Sequence, residues 1–244
     1  MSRFINRVLL TALGLALSSS AVAQSIDTNR PGFSFTPGVV GKGRWQVETG
    51  LGYSQNDSDS ETLSLPNAEI RYGSGERVEV FVSSLGWAED DSNGSKASGL
   101  TDIAVGTKIA VSEPGAATRM AVLLQLSLPT GDDRFSSDDV DPAVAVIWTH
   151  SGRFNLAGTA RISDAPGGAR FDNGLKLPFA IDDRRSWFVE WEANIPESGG
   201  SSHWMNGGFQ WLMQDNIQID LNAGVGLNDR AGDFRLGVGF SIRP

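Results

Sequence analysis

The stretch IQIDLNAGVGL, residues 217–227, alternates apolar side chains with small or polar ones along its whole length. The stretch FRLGVGFSI, residues 234–242, repeats this pattern near the end of the chain. Because successive side chains of a β-strand point to opposite faces, each stretch predicts a strand with one apolar face and one small or polar face. Strands of this kind are typical of a barrel wall that meets lipid on one side only.

The beginning of the chain has the order of a secretory signal peptide. Arg3 and Arg7 precede an apolar run at 8–17, and the small residues Ala-Val-Ala follow at 21–23. The run is too short to cross a bilayer as a helix. The sequence therefore predicts a signal peptide at 1–23, an N-terminal segment at 24–43 that is periplasmic or lumenal, and an outer-membrane barrel at 44–244.

Composition and charge exclude several classes of protein. The chain has 244 residues, with 20 basic and 29 acidic ones. Removing residues 1–23 leaves 18 basic residues against 29 acidic ones, a formal net charge of −11, so we expect no nucleic-acid partner. The chain has no cysteine, which excludes disulfides and thiolate metal sites.

Alternating segments recur through the chain, and we identify twelve of about the ten residues that a tilted membrane strand needs. No segment after the leader has the roughly 20 apolar residues of a membrane helix, which excludes a helical membrane protein. The predicted fold is all-β: an antiparallel up-and-down transmembrane β-barrel of about 12 strands, in the outer membrane of a Gram-negative bacterium. Pro178 lies inside one candidate strand and predicts a bulge there, because proline cannot donate to the ladder.

The predicted links between strands alternate in length. Short turns fall near 73–75, 114–117, 151–152, 182–185 and 214–216, and longer polar links fall at 55–61, 88–99, 129–141, 164–169, 197–202 and 228–233. Outer-membrane barrels have short periplasmic turns and longer extracellular loops. We therefore expect both ends of the barrel domain on the periplasmic side.

Charged residues of both signs occupy the face opposite the apolar one. A basic side chain that meets hydrocarbon at mid-depth costs roughly 2 to 4 kcal/mol, so we expect these residues to face the lumen. Either the acids and bases pair across a nearly closed lumen, or they leave a gap and line the path of a permeant. The predicted lumen-lining residues are Glu48, Glu69, Arg71, Glu79, Asp102, Lys108, Arg161, Glu190, Glu192, Asp220 and Arg235.

Candidate catalytic residues are scarce. The two histidines, His150 and His203, lie at predicted strand ends, and zinc or haem sites are not expected without further ligands. His203 lies near Ser201 and Glu197 in sequence, which leaves an outer-membrane lipid hydrolase as one alternative. A triad depends on geometry that sequence proximity does not supply. We predict that the protein is not an enzyme and uses no cofactor or metal.

Several short motifs occur in the order found in one protein family. They include NRPGF at 29–33, GRWQVE at 43–48, LPNA at 65–68, GLTDI at 99–103 and LSLPTG at 126–131. With these motifs the chain resembles the "MetA-pathway of phenol degradation" family of outer-membrane barrel transporters over essentially the whole mature chain. The resemblance implies a channel or transporter for aromatic or other hydrophobic small molecules.

The function predicted from the sequence is the passive passage of small molecules through a monomeric outer-membrane channel. Its expected partners are outer-membrane lipid, a small-molecule permeant and, during biogenesis, the barrel-assembly machinery. The alternative is a closed structural or surface-interaction barrel whose acidic loops carry the function. The chain ends in Ile242, Arg243 and Pro244 rather than in the aromatic residue typical of such barrels, and Phe240 offers a similar spacing slightly earlier.

Overall fold

A computed structural model describes residues 25–57 and 59–244. The predicted signal peptide lies outside these residues. No helix in the described part of the chain is long and apolar enough to cross a membrane. The described residues form thirteen β-strands: β1 (Trp45–Asp57), β2 (Ser60–Gly73), β3 (Val78–Ser92), β4 (Ser95–Leu100), β5 (Ile103–Ala110), β6 (Thr118–Leu128), β7 (Asp141–His150), β8 (Leu156–Ala165), β9 (Gly168–Ala180), β10 (Arg185–Pro196), β11 (Ser202–Gln214), β12 (Ile217–Gly226) and β13 (Phe234–Ile242).

Twelve of these strands form one closed antiparallel ring. Successive strands pair along the chain, and β1 closes the ring by pairing with β13 from Val47↔Ile242 to Gln55↔Phe234. The exception is β4, which pairs only with the outer part of β3, while the rest of β3 pairs with β5. The predicted antiparallel barrel of about 12 strands is therefore confirmed.

Two of the predicted long links are strand hairpins instead. The link at 55–61 consists mostly of the ends of β1 and β2, and the link at 88–99 is built from β3 and β4. Most of their side chains are polar and half-buried or exposed, so these residues pair through the backbone without an apolar face to mark them in sequence. The link between β6 and β7, at 129–140, is an irregular loop as predicted.

The predicted bulge at Pro178 is wrong. The register between β9 and β10 is continuous from Ser186↔Ala180 to Pro196↔Arg170. Pro178 lies beyond the last pair of β8 with β9, Ala157↔Lys176, so no ladder bond to β8 is required of it.

The outer face of the barrel carries the apolar residues of the alternating pattern. Leu221 and Val225 of β12 are both 53% exposed, whereas Asp220, which precedes Leu221 and lies on the other face, is fully buried. Aromatic rings pack in pairs near both edges, with Trp45 and Tyr72 4.6 Å apart at one edge and Tyr53 and Phe234 5.8 Å apart at the other. Exposed apolar residues and edge aromatics are what a lipid-facing wall requires.

One sector of the inner face is apolar rather than charged. Phe81, Ala121, Leu123, Ala145 and Ile147, from β3, β6 and β7, are buried against one another. This sector explains why the sequence at 143–148 is apolar on both faces. The rest of the inner face is mostly polar, with single buried apolar residues such as Phe188 and Trp204, and it surrounds the chain that precedes β1.

Candidate functional site: the barrel lumen

Residues 25–43, called the N-terminal segment below, lie inside the barrel. The segment begins beside the turn between β11 and β12, where the Ile26 amide donates to the Asp215 carbonyl at 2.7 Å. It ends at the start of β1, where Lys42 forms one isolated bridge with Gly73. Its other described contacts with the wall are made mainly by side chains, and they fall in the periplasmic half of the strands. The segment therefore occupies the periplasmic half of the lumen.

Carboxylates of the barrel wall accept hydrogen bonds from the backbone amides of the segment. A chain without ladder partners must find other acceptors for its buried amides. Glu48 accepts the amides of residues 29 and 30 at 2.9 and 3.2 Å, and Glu190 accepts those of residues 33 and 34 at 2.9 and 2.7 Å. Glu79 accepts one more, at 2.7 Å. Hydrogen bonds from backbone amides to carboxylates are stronger than hydrogen bonds between neutral groups. These three glutamates therefore anchor the segment.

Wall cations donate to the carbonyls of the segment in the same way. Lys176 Nζ donates to the carbonyls of residues 31 and 34, both at 2.9 Å. The Arg71 guanidinium donates to the carbonyls of residues 27 and 38 at 3.0 and 3.2 Å. Lys108 Nζ donates to the Thr36 carbonyl at 3.1 Å. Charges of both signs on the wall thus hold the backbone of one segment.

The same charged residues also pair with one another. Arg71 binds both oxygens of Glu79 at 2.9 Å and binds Glu48 at 2.6 Å. Lys108 lies 3.2 Å from Glu79. The side chains of these four residues are at most 1% exposed, and charges removed from water must be paired in this way. In the periplasmic half, acids and bases therefore pair instead of standing free.

Apolar contacts fix the middle of the segment. Phe35 packs against the apolar sector of the wall. Phe33 lies over Gly174, where an added Cβ would stand 2.6 Å from the Phe33 ring and 2.6 Å from Ser34 Oγ. Glycine at this inward position of β9 lets the segment lie directly against the wall.

The Arg30 side chain has fewer close polar contacts with the wall than the backbone groups on either side of it. Its guanidinium lies 3.6 Å from Asp220, whose two carboxylate oxygens are buried and accept no hydrogen bond. Gly50 and Gly239 lie beneath it, and a Cβ on either would collide with the Arg30 side chain. These glycines make room for the segment.

A second charged group lies above the segment, in the extracellular half. Asp172 binds Arg161 at 2.7 Å, Arg170 at 3.2 Å and the Asn194 amide at 3.0 Å. Beside it, Glu192 binds Arg235, whose guanidinium lies 4.5 Å above the ring of the inward-facing Trp204.

Two cavities lie in the lumen, beside and above the N-terminal segment. The larger, called the vestibule below, has a volume of about 400 Å³ and is bordered by Arg30, Asn222 and Arg235. The smaller, called the side cavity, has a volume of about 240 Å³ and is bordered by Ser84. Asn67 of β2 borders both.

The predicted lumen-lining residues fall into three groups. Those against or beside the N-terminal segment are Glu48, Glu69, Arg71, Glu79, Lys108, Glu190 and Asp220. Those above it are Arg161, Glu192 and Arg235. Asp102 stands apart and does not contact the segment.

Asp102 lies on the link between β4 and β5 and binds the outer loop. Its carboxylate accepts the amides of Thr130, Gly131 and Ser137 at 3.0, 2.9 and 3.0 Å. Partial burial acts to raise the pKa of Asp102, but these amides and the Ser136 hydroxyl outweigh it and hold the pKa below its ordinary value. The strand alternation does not extend to this residue, because it precedes the first wall pair of β5.

Some contacting residues are missing from the predicted set. Asp172 and Lys176 lie on the inward positions of β9, and the alternation places both on the charged inner face; of the two, Lys176 binds the segment. Thr159, Gln210 and Gln218 also bind the segment, through uncharged side chains that a search for charges overlooks. The alternation places these three on the inner face, but nothing in the sequence distinguishes them from other polar residues there.

Comparison with known proteins identifies relatives of this barrel. The family model described as "Putative MetA-pathway of phenol degradation" matches residues 28–164. Comparison with curated protein sequences finds no significant match.

Solved structures share the fold at low sequence identity. The COG4313 outer membrane channel from Pseudomonas putida F1 is similar with a TM-score of 0.68 and 13% identity, over 88% of this chain and 99% of that one. The NanC porin has a TM-score of 0.53 and 10% identity, over 80% and 98%. The translocator domain of the autotransporter NalP from Neisseria meningitidis has a TM-score of 0.51 and 13% identity, over 84% and 90%. At such identities the similarity establishes the barrel fold alone.

Proposed function

The chain belongs to the MetA-pathway of phenol degradation family, and from this premise we propose that it is an outer-membrane channel for the passive passage of small molecules. In the described state the N-terminal segment closes its periplasmic half. A passive channel of this kind needs neither a cofactor nor a catalytic residue.

One observation carries the proposal: the lumen is blocked by a separate segment and not by the wall itself. The wall strands pair with one another around a closed ring, and the segment adds only one isolated bridge to that ladder. The segment can therefore move without breaking any strand pairing of the barrel. Twelve strands enclose a wider lumen than the eight that side chains alone can fill, so a bore remains when the segment moves.

The chemistry of the vestibule supports small aromatic molecules as permeants. Arg30 and Arg235 border it together with the amides of Asn67 and Asn222, and Phe33 contributes an aromatic ring. Amides and guanidinium groups bind hydroxyl or carboxylate substituents, while a ring offers an apolar surface. The family description, which names phenol degradation, supports this assignment.

A second candidate function is favoured by the ion pairing. The buried network around Arg71 and Glu79 is what a permanently closed structural barrel would have. In that case the N-terminal segment is part of the core, and the outer loops carry the function.

Single-channel recording in planar bilayers separates the two candidates. The mature protein is compared with a variant lacking residues 25–38, which retains the bridge between Lys42 and Gly73. The channel proposal predicts brief, small openings for the mature protein and a larger, steady conductance for the deletion variant. A deletion variant that folds, as judged by its heat-modifiable mobility in gels, and shows no conductance above the lipid background would establish the closed barrel instead.

A further inference from the structure

The vestibule is bordered by more positive than negative charge. Among the described residues that border it, Arg30 and Arg235 are basic and only Glu192 is acidic, which leaves an excess of one positive charge. Asp220 does not border the cavity, because its side chain is fully buried against the wall side of Arg30. The volume of about 400 Å³ lies in the range of roughly 300–1,000 Å³ that is typical of small-molecule sites. The vestibule therefore suits a small anion.

Two of these three charged groups neutralise each other. Arg235 and Glu192 form an ion pair, and Asn206 Oδ1 accepts two further hydrogen bonds from the Arg235 guanidinium, at 2.9 and 2.8 Å. The ring of Trp204 lies 4.5 Å from the same guanidinium and covers one of its faces. The excess positive charge of the vestibule therefore belongs to Arg30.

The Arg30 guanidinium presents one edge to the wall and the opposite amino group to the lumen. An added Cβ on Gly239 would collide with Arg30 Nε, and an added Cβ on Gly50 would collide with Nη2. The edge formed by Nε and Nη2 thus lies against the wall, and in a planar guanidinium Nη1 points away from that edge. Nη1 forms no hydrogen bond within the described part of the chain. It is therefore open to a ligand in the vestibule.

The contacts that Arg30 makes with the wall are long. Nη2 donates to the Val238 carbonyl at 3.4 Å and lies 3.6 Å from the nearer Asp220 oxygen. A charge-assisted hydrogen bond has a length of about 2.7–2.9 Å. Arg71 and Arg161 do form such bonds to carboxylates, at 2.6 and 2.7 Å. The Arg30 guanidinium thus retains hydrogen-bonding capacity that the closed lumen does not use.

Two amides and an aromatic ring complete the border of the vestibule. Asn67 and Asn222 both border it, and neither side-chain amide forms a hydrogen bond to another described residue. Each amide offers two donors to an acceptor in the cavity. Phe33 also borders the cavity and offers an apolar surface. A flat ring that carries a carboxylate can satisfy both kinds of surface at once.

We propose that the vestibule is a binding site for aromatic carboxylates, in which Arg30 selects for the negative charge. This inference rests on the proposed channel function, and it names the class of permeant for that channel. A carboxylate offers two charged oxygens to the guanidinium and the amides, whereas a phenol of the same ring size offers one neutral hydroxyl. The site therefore prefers the acid to the phenol.

The site combines residues of the N-terminal segment with residues of the wall. Arg30 and Phe33 belong to the segment, whereas Asn67 and Asn222 belong to β2 and β12. The complete site exists only while the segment lies in the lumen. A ligand stabilises the state that it binds more tightly, so a bound aromatic carboxylate slows release of the segment. Hydrogen-exchange protection of the segment amides should rise when benzoate is added.

Calorimetric titration of the purified mature protein in a zwitterionic detergent tests the site. The probe is benzoate, and phenol and acetate are titrated separately as the ring and the carboxylate alone. We expect benzoate to bind more tightly than either. Arg30→Gln should weaken benzoate binding by about 10- to 100-fold, the loss expected for one hydrogen bond between charged groups, and should leave phenol binding unchanged. Arg134→Gln, on the exposed loop between β6 and β7, is the matched control and should change neither.

Replacing Asp220 supplies a test of opposite sign. The Asp220 carboxylate competes with the ligand for Arg30, so Asp220→Asn should tighten benzoate binding. A substitution that only disturbed the lumen would weaken it. The double variant Arg30→Gln/Asp220→Asn leaves no carboxylate at this position without its cation, and it should bind benzoate as weakly as Arg30→Gln alone.

Other results overturn the proposal and leave the channel intact. These results are benzoate binding no tighter than phenol binding, equal benzoate affinity of the double variant and the unmodified protein, and weaker benzoate binding by Asp220→Asn. Undiminished benzoate binding by the variant lacking residues 25–38 has the same meaning, because that variant has no Arg30. Absence of conductance in both the mature protein and this deletion variant instead removes the channel, and with it the role of the bound acid as a permeant.

Discussion

Replacing Glu190 by glutamine tests whether the N-terminal segment is held by wall carboxylates. Glu190 is fully buried and accepts the amides of residues 33 and 34. Glutamine has one carbonyl oxygen and no charge, so at most one neutral hydrogen bond remains of two charge-assisted ones. With hydrogen bonds to charged groups contributing about 1.5–3 kcal/mol each and neutral ones about 1, the loss is roughly 2–5 kcal/mol. At 1.36 kcal/mol per tenfold change, the population with the segment released rises about 30- to 5,000-fold.

Amide hydrogen exchange measures this population directly, because protection of an amide reflects the free energy of the opening that exposes it. Protection of the segment amides should fall by the same factor in Glu190→Gln, while the amides of β11 and β12 keep theirs. Glu113→Gln, in an exposed periplasmic turn, is the matched control and should change neither. Equal loss of protection in the segment and the strands would refute the reasoning, because it would mean that the segment does not move independently of the barrel.

Three further predictions address the same structure. Gly174→Leu should displace the segment at a cost of about 1–3 kcal/mol and increase single-channel conductance, whereas Gly207→Leu, where an added Cβ meets only a carbonyl oxygen at 3.6 Å, should not. Asp102→Asn should release the loop between β6 and β7 and speed its proteolysis at neutral pH. Because the folded pKa of Asp102 is depressed, the unmodified protein should keep the loop attached above the ordinary value of 3.8 and lose it only as the pH falls through the lowered one, as followed by amide exchange in the loop. Leu221→Arg on the lipid face should destabilise the folded barrel in bilayers by roughly 2–4 kcal/mol in urea titrations, whereas Asn222→Arg on the inner face should cost less.

Strand alternation predicts the barrel because lipid on one side and water or protein on the other impose a period of two. The strands β12 and β13 satisfy that period along their whole length. The hairpin of β3 and β4 does not follow that period, since residues 88–99 are mostly polar and have no apolar side to repeat. Phe81 departs from the period for the opposite reason, because its inward ring belongs to an apolar sector of the lumen.

The course of the N-terminal segment is not predictable from local pattern. Its anchors are distant in sequence, and the Ser34 amide binds a carboxylate 156 residues further along the chain. The inward charges of the wall are predictable from alternation, but their role in binding a backbone is not. Residues such as Glu48 and Lys176 have the same sequence pattern whether they face water or a buried segment.

A reversible tether between the N-terminal segment and the wall tests the central claim most directly. The double variant Ser34→Cys/Gly174→Cys places two thiols where a Cβ on residue 174 lies 2.6 Å from the Ser34 side-chain oxygen. Its single-channel conductance is recorded before and after reduction in the same bilayer, with each single cysteine variant as a control. The account predicts no openings while the disulfide is closed and, after reduction, openings like those of the Gly174→Cys single variant. Unaltered openings with the disulfide closed would contradict it.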